Sequence, residues 1–173
     1  MDRTDRTREA AAGGPLREDQ IQRYARHVLL PDVGGRGQQR LLAAAVAVEL
    51  GPGRAAEITA LAYLAAAGVG RLVLTGDVGG TVGDDEIAGG VLLGVADRGR
   101  PRGQAVRERI AALNPDVAVS ESDEADGLRL ADELAPADPS ALALGPGGAA
   151  ADALVRAGAA VARLLLRIAR PRS

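Results

Sequence analysis

The residues whose types and spacing best suit chemistry form a glycine-rich turn at positions 51–56, with the sequence GPGRAA. The turn satisfies the pattern G-x-G-x-x-G/A through Gly51, Gly53 and Ala56. In this pattern the first glycine permits a tight turn, the second lets the backbone approach a phosphate, and the small third residue lets a helix pack on a strand. The turn is therefore a candidate nucleotide-binding element. Glycines also suit any strand-to-helix turn, so a purely structural role stays open.

A carboxylate follows the next apolar segment of the chain. In nucleotide-binding α/β folds, an acidic residue at the end of the second strand binds the ribose hydroxyls. Asp77 stands close to that position, after the segment RLVLT at residues 71–75. Asp is also an ordinary turn residue beside glycine, and the local sequence LTGDVGG favours the turn interpretation.

Strands and helices in alternation must position these residues. The sequence predicts strands at 44–50, 71–75, 116–120 and 141–144, and helices at about 18–30, 34–44, 54–67, 101–115, 127–136 and 145–169. Residues 76–100 are rich in Gly and Asp and predict a long loop with a short turn near 84–88. The alternation predicts an α/β fold, namely a Rossmann-like, doubly wound and mostly parallel sheet with helices on both faces, preceded by N-terminal helices.

Composition excludes several kinds of chemistry. The chain has no Cys, and its 21 basic residues are all Arg. Disulfides, zinc–thiolate sites, thiol nucleophiles and Schiff-base lysines are therefore excluded. His27 is the only histidine, and with no identifiable nucleophile or acid beside it we expect a structural or surface role. The net charge of −2 gives no electrostatic basis for binding nucleic acid or an anionic membrane.

The polar residues 1–16 predict a disordered lead, and residues 17–173 predict a single domain. No apolar run is long enough to span a bilayer. The N-terminus also lacks the apolar segment of a secretory signal. We therefore expect a cytoplasmic protein.

Three sequence blocks resemble a known family. They read RYARHVLLPDVGGRGQQRL from residue 23, YLAAAGVGRLVL from residue 63, and GRPRGQAVRERIAALNPDV from residue 99. In order and spacing they resemble the ThiF/MoeB/HesA family, bacterial relatives of the ubiquitin-activating enzymes. The resemblance implies a Rossmann-like ATP-binding domain, commonly a homodimer, that uses Mg·ATP to adenylate the C-terminal carboxylate of a small β-grasp carrier protein.

The resemblance assigns roles to residues near the first strand. Arg26 matches an Arg that reaches toward the nucleotide of the partner subunit. Gly51, Gly53 and Ala56 match the family's glycine loop, whose third glycine is replaced here by Arg54. The bulk of Arg54 would crowd a phosphate, whereas its charge would attract one.

Other family positions are altered. The family's Asp-x-Asp pair falls on Gly76 and Val78, and only a shift of one residue brings Asp77 into it. Its phosphate-binding segment Ser-Asn-Leu-x-Arg-Gln corresponds to residues 83–88, where an Ile replaces the Arg and three acids stand together. Its phosphate-binding Lys corresponds to Arg102, which keeps the charge.

The metal position is altered as well. The family's Thr-Asp-Asn, whose Asp holds Mg²⁺, aligns with residues 146–148, which contain no carboxylate. Asp84 and Asp85 are weak alternative metal ligands. The catalytic Cys, the Cys-x-x-Cys zinc pairs and the later part of the family's chain have no counterpart. The last helix matches either the helix after the fourth strand, in a simple truncation, or a late family helix brought closer by an internal deletion.

Three functions stay open. The first is a degenerate, non-catalytic interaction or accessory protein without a cofactor, acting as a homodimer or with a β-grasp carrier or a biosynthetic or sulfur-transfer-type enzyme. The second is a minimal adenylyltransferase that uses ATP through Arg26, Arg102 and Asp77, with Mg²⁺ on Asp84 or Asp85. The third is a cleft repurposed for another small molecule.

Overall fold

The computed structural model describes residues 14–89, 91–123 and 127–170. Most of the predicted disordered lead therefore lies outside the described residues. The elements, in chain order, are α1 (Glu18–Arg23), α2 (Ala25–Val28), α3 (Gly34–Ala43), β1 (Ala45–Leu50), α4 (Ala55–Ala67), β2 (Arg71–Gly76), α5 (Asp84–Gly89), α6 (Arg102–Leu113), β3 (Ala118–Glu121), β4 (Leu128–Arg129), α7 (Pro139–Leu142) and α8 (Pro146–Ala169). Short 3-10 helices lie at Val95–Asp97 and Leu130–Asp132.

The sheet formed by the described residues has four strands in the order β3-β2-β1-β4. All three strand pairs are parallel, and β1 and β2 pair along their whole length, with Val46 opposite Leu72. The parallel strands β1 and β2 are joined through α4, and β2 and β3 through α6. The alternation of strands and helices in the sequence predicts this arrangement. The Rossmann-like α/β class is therefore confirmed.

The core lies against one face of the sheet. The inward strand residues Val46, Val48, Leu72 and Leu74 are buried and share one apolar cluster with side chains of α4, α6 and α8. Because strand side chains alternate in direction, the positions between them point to the opposite face. Apart from Val73, those positions are small or polar, and none joins the cluster: Ala45, Ala47, Glu49, Arg71, Val73, Thr75, Ala118, Ser120 and Arg129. α4, α6 and α8 therefore pack on the same face.

The end of α4 fixes the N-terminal helices. Gly68 ends α4 in the left-handed conformation at φ 80°, and a Cβ added there would lie 2.6 Å from the Tyr24 ring. The Tyr24 hydroxyl donates to Asp116 at 3.1 Å and accepts from the Asn114 side-chain amide at 2.9 Å. Since Gly68 precedes β2 and Asp116 precedes β3, Tyr24 anchors α1 and α2 at the amino ends of the strands.

The helix predicted at 127–136 is wrong. Leu128–Arg129 forms β4, which pairs with β1, and the chain continues as a 3-10 helix. Leu130, at 1% exposure, enters the core directly after the strand. A pairing partner in another part of the chain overrode a weak helical pattern.

The strand predicted at 141–144 is also wrong. Pro139–Leu142 forms α7, whose start is capped by the Asp138 carboxylate accepting from the Ser140 N–H at 2.8 Å. An Asp cap followed by Pro at the first helical position is a helix-start signal, and a short apolar run alone does not distinguish helix from strand. Residues 146–148 consequently form the first turn of α8 rather than the end of a strand.

Among the described residues, no helix combines the length and apolar character needed to cross a bilayer.

Candidate functional site

The candidate site lies at the carboxyl ends of β1 and β2. The N–H of Asp77 donates to the carbonyl of Leu50 at 2.9 Å, so the end of β2 lies beside the residue that precedes the glycine turn. The structure therefore brings Asp77 close to Gly51. Clefts at this edge of a parallel sheet are where such folds bind ligands.

The glycine turn donates one backbone N–H to α5. Gly53 has φ 75°, a conformation that favours glycine, and its N–H donates to Oδ2 of Asp85 at 2.5 Å. Gly51 is buried, and Ala56 is 2% exposed where α4 packs on the sheet. The turn thus has the geometry of an anion-binding turn, and the anion that it holds is a carboxylate of the same chain.

Arg54 is paired with two carboxylates of its own chain. Its guanidinium contacts Glu49 at 2.6 Å and Glu57 at 2.8 Å. The side chain passes over the turn, since its Nε would lie 3.7 Å from a Cβ placed on Gly51. Arg54 would therefore have to leave Glu49 and Glu57 before its guanidinium could attract a phosphate.

Arg102 is buried and donates all five of its N–H groups within the chain. Nε and Nη2 donate to Glu86 at 2.6 and 3.2 Å. Nη1 donates to the carbonyl and the carboxylate of Asp77 at 2.6 and 2.9 Å, and Nη2 also donates to the carbonyl of Thr81 at 2.7 Å. A guanidinium has five N–H donors in total, so this inventory is complete.

The charge of Arg102 is stabilised by these partners. Burial opposes the charged form, but the hydrogen bonds that Arg102 donates to Glu86 and Asp77 outweigh it, and the pKa of the guanidinium is raised. The Glu86 side chain is fully buried and also accepts from the Gly83 N–H at 2.9 Å. The result is a closed polar cluster beneath the cleft.

The three consecutive acids of α5 diverge to three different partners. Asp84 pairs with Arg98 at the surface at 2.7 Å, Asp85 contacts Gly53, and Glu86 pairs with Arg102. In the part of the chain that the structure describes, no group of three or more His, Cys, Asp or Glu is arranged to hold a metal ion.

A cavity of about 520 Å³ opens beside the turn, between α4, α5 and α8. This volume falls within the range of small-molecule sites. Its walls are mostly alanine, with Asp84 and Asp85 on one side and Asp152 and Arg156 on the other. Asp152 and Arg156 form an ion pair at 3.3 Å and were not predicted as site residues. The sequence indicated this ion pair only through the spacing of four residues within a helix.

Arg26 and His27 lie away from this cavity. Both belong to α2, which Tyr24 anchors at the amino ends of the strands. Arg26 is exposed, whereas the Nδ1 of His27 lies 3.1 Å from the side-chain oxygen of Gln38. The structure therefore unites the glycine turn, Asp77, Asp84, Asp85 and Arg102, and it separates Arg26 from them.

Known proteins resemble this chain over part of their length. No family model matches it. It is 42% identical over 105 residues to the probable adenylyltransferase/sulfurtransferase MoeZ of Mycobacterium tuberculosis, which covers 60% of this chain and 26% of MoeZ. It is 36% identical over 124 residues to the sulfur carrier protein ThiS adenylyltransferase of Escherichia coli K12, covering 71% of this chain and 48% of that protein.

A solved structure supports the same relationship. The crystal structure of selenomethionine PaaA matches with a TM-score of 0.54 and 28% identity, over 65% of this chain and 36% of PaaA. The chain spans less than half the length of each of these three proteins. Together, the three sequence blocks, the parallel α/β fold and these relatives show that the chain belongs to the ThiF/MoeB/HesA family.

Proposed function

We propose that the chain is a non-catalytic member of its family that acts as an interaction or accessory protein. The observation that carries the proposal is the state of Arg102, whose five donors all bind Asp77, Thr81 and Glu86. The family resemblance assigns this position to a phosphate-binding lysine. A guanidinium without a free donor has none to offer a phosphate, and moving it would leave the buried Glu86 carboxylate without a cationic partner.

The rest of the cleft does not fit Mg·ATP either. The exposed amide of Gly53 is bonded to Asp85, so a phosphate there would meet a carboxylate. Residues 146–148 carry no carboxylate, and the described residues form no metal-binding cluster. Adenylation requires cations around the α-phosphate, and removing one such group typically costs about 3 kcal/mol of transition-state stabilisation.

The proposed partner is a β-grasp carrier, a biosynthetic or sulfur-transfer-type enzyme, or a second copy of the chain. Two relatives are named for the activation of such carriers, the sulfur carrier protein ThiS adenylyltransferase and a SAMP-activating enzyme E1 of Haloferax volcanii. Arg26 is exposed on α2, away from the cleft of its own chain, which suits contact with another subunit.

Calorimetric titration with Mg·ATP, followed by a pyrophosphate-release assay with a β-grasp carrier, tests the proposal. We expect no binding heat at millimolar nucleotide, no thermal stabilisation and no pyrophosphate. Carrier-dependent release of pyrophosphate would overturn it.

A minimal ATP-dependent adenylyltransferase is the second candidate. It is favoured by the 42% identity to a probable adenylyltransferase and by the cavity beside Gly53. In that case Arg26, Arg102 and Asp77 would act on Mg·ATP, with the metal at Asp84 or Asp85. Pyrophosphate release would then depend on the carrier and be lost in Arg102→Ala, whose folding is checked by circular dichroism.

Binding of a different small molecule is the third candidate. The alanine walls and acidic side chains of the cavity favour a cationic or hydroxylated ligand over a nucleotide. A thermal-shift screen of amines and polyols in the absence of ATP tests this candidate. A ligand that stabilises the wild-type protein but not Asp152→Asn would support it.

A further inference from the structure

The acids of α5 are not equivalent, and Asp85 is directed across the cleft. At the start of α5 the Gly83 N–H donates to Glu86 at 2.9 Å, and Asp85 takes no part in that contact. Asp85 instead accepts from Gly53, which is 32 residues earlier in the chain and belongs to the turn before α4. The contact therefore joins two separate elements.

Neighbouring contacts hold the Asp85 carboxylate in place. Glu86, the next residue, is fixed by its buried pair with Arg102. On the other side, a Cβ added to Gly83 would lie only 2.7 Å from Oδ1 of Asp85, so the absence of a side chain there leaves room for the carboxylate. The position of Asp85 thus follows from the structure around it.

The donor that Asp85 occupies is accessible to an external anion. Gly53 lies just before the first turn of α4, a helix of 13 residues whose N-terminus carries partial positive charge. The contact is exposed, so a dissolved anion has access to it. The guanidinium of Arg54, the next residue, pairs with Glu49 and Glu57 rather than with Asp85.

We propose that Asp85 is an internal competitor that closes the anion-binding turn by occupying the Gly53 N–H with a carboxylate of the chain. This inference rests on the proposed loss of nucleotide chemistry and names the contact that enforces it. An incoming phosphate must displace Asp85 and overcome its negative charge at close range. Removing that charge opens the turn to small phosphate anions without restoring adenylation.

Calorimetry with inorganic pyrophosphate, without metal or nucleotide, tests the competition. The variant is Asp85→Asn, and the matched control is Asp84→Asn, which removes the same charge one residue earlier from a surface pair with Arg98. We expect Asp85→Asn to bind pyrophosphate at least about tenfold more tightly than the wild type, and Asp84→Asn to stay within about twofold. Equal affinities of the two variants would overturn the proposal.

The amide resonance of Gly53 provides a second measurement that does not depend on affinity. Asp85→Asn should shift it, and so should Gly83→Ala, which displaces the carboxylate sterically while leaving its charge in the chain. An unchanged resonance in both folded variants would contradict the contact. These outcomes are separate from the proposed function, because pyrophosphate release from ATP by the wild type would refute that function without equalising the two Asn variants.

Discussion

The guanidinium of Arg102 and the carboxylate of Glu86 form an ion pair removed from solvent, with side chains 2% and 0% exposed and Nε 2.6 Å from Oε1. Glu86 lies on α5 and Arg102 opens α6, so the pair ties together the long connection that follows β2. Breaking such a pair from one side leaves a charge buried without a partner. The connection that bears the acids of the cleft is consequently fixed by the pair between Arg102 and Glu86.

Replacing Glu86 by Ala should strongly destabilise the fold. Because the Arg102 charge would stay buried with fewer partners, we expect a loss of about 3–5 kcal/mol in the free energy of unfolding, measured by urea denaturation at neutral pH. Asp84→Ala is the matched control: its pair with Arg98 is exposed, and its loss should be below about 1 kcal/mol. Equal losses in the two variants would contradict the structural role of Glu86.

Arg102→Lys introduces the residue that the family resemblance places at this position. Lysine has three donors on one nitrogen and cannot reproduce the five bonds of the planar guanidinium, so we expect a loss of about 1–3 kcal/mol. We also expect no binding of Mg·ATP by calorimetry. Arg107→Lys on the same helix is the control, since its side chain is 44% exposed and should change stability by less than about 0.5 kcal/mol. A stable Arg102→Lys that binds ATP would show that the position still serves phosphate.

Tyr24 should make the fold sensitive to alkali. Burial, above all, raises the pKa of its hydroxyl from 10.0 to about 12. The unfolded chain therefore loses this proton at lower pH than the native chain, and stability present below pH 10 should fall as pH rises to about 12. The slope approaches about 1.4 kcal/mol per pH unit within this window. The absence of Lys and Cys removes two residue types whose ionisation would otherwise overlap.

Urea denaturation at several pH values, from about 9, one unit below the ordinary Tyr pKa, to about 12, measures this effect. Tyr24→Phe should flatten the alkaline decline, at a cost of about 1 kcal/mol at neutral pH for its lost hydrogen bonds. Tyr63→Phe, at a half-exposed position on α4, is the control and should retain the decline. A decline that survives in Tyr24→Phe would assign the proton to another group.

Adjacent residues of β2 should differ sharply in their effect on stability. Leu72 is fully buried in the core, whereas Val73 points to the opposite face and lies outside the core cluster. We expect Leu72→Ala to cost about 2–5 kcal/mol and Val73→Ala about 1 kcal/mol or less, by urea denaturation. Comparable costs would mean that both faces of the sheet are packed.

The sequences of the strands already indicated that the two faces of the sheet are packed differently. Parallel strands covered on both faces usually form continuous apolar runs. Here β1 reads AVAVEL and β2 reads RLVLTG, with large apolar residues at every second position and, apart from Val73, small or polar ones between them. The order of elements predicted a parallel sheet flanked by helices, but it does not say which face of the sheet each helix covers.

The elements predicted best were those with local signals. The Ala-rich run with Gly68 at its end predicted α4 nearly to the residue, and Pro101 marked the start of α6. The errors at 127–136 and 141–144 arose where the decisive contacts were not local. Leu128 became a strand residue because it pairs with Val46, far away in the chain.

The sequence by itself determined the family and the parallel direction of the strands. It also placed glycines and charged residues at the edge of the sheet where ligands bind. These features could be predicted because periodicity and turn residues depend on only a few neighbouring positions. Only the tertiary structure decided what those residues bind. Arg102 meets Glu86 across 16 residues and Gly53 meets Asp85 across 32. A hydrogen bond forms only when donor and acceptor lie within a few tenths of an ångström of their preferred separation, and spacing along the chain cannot supply that precision.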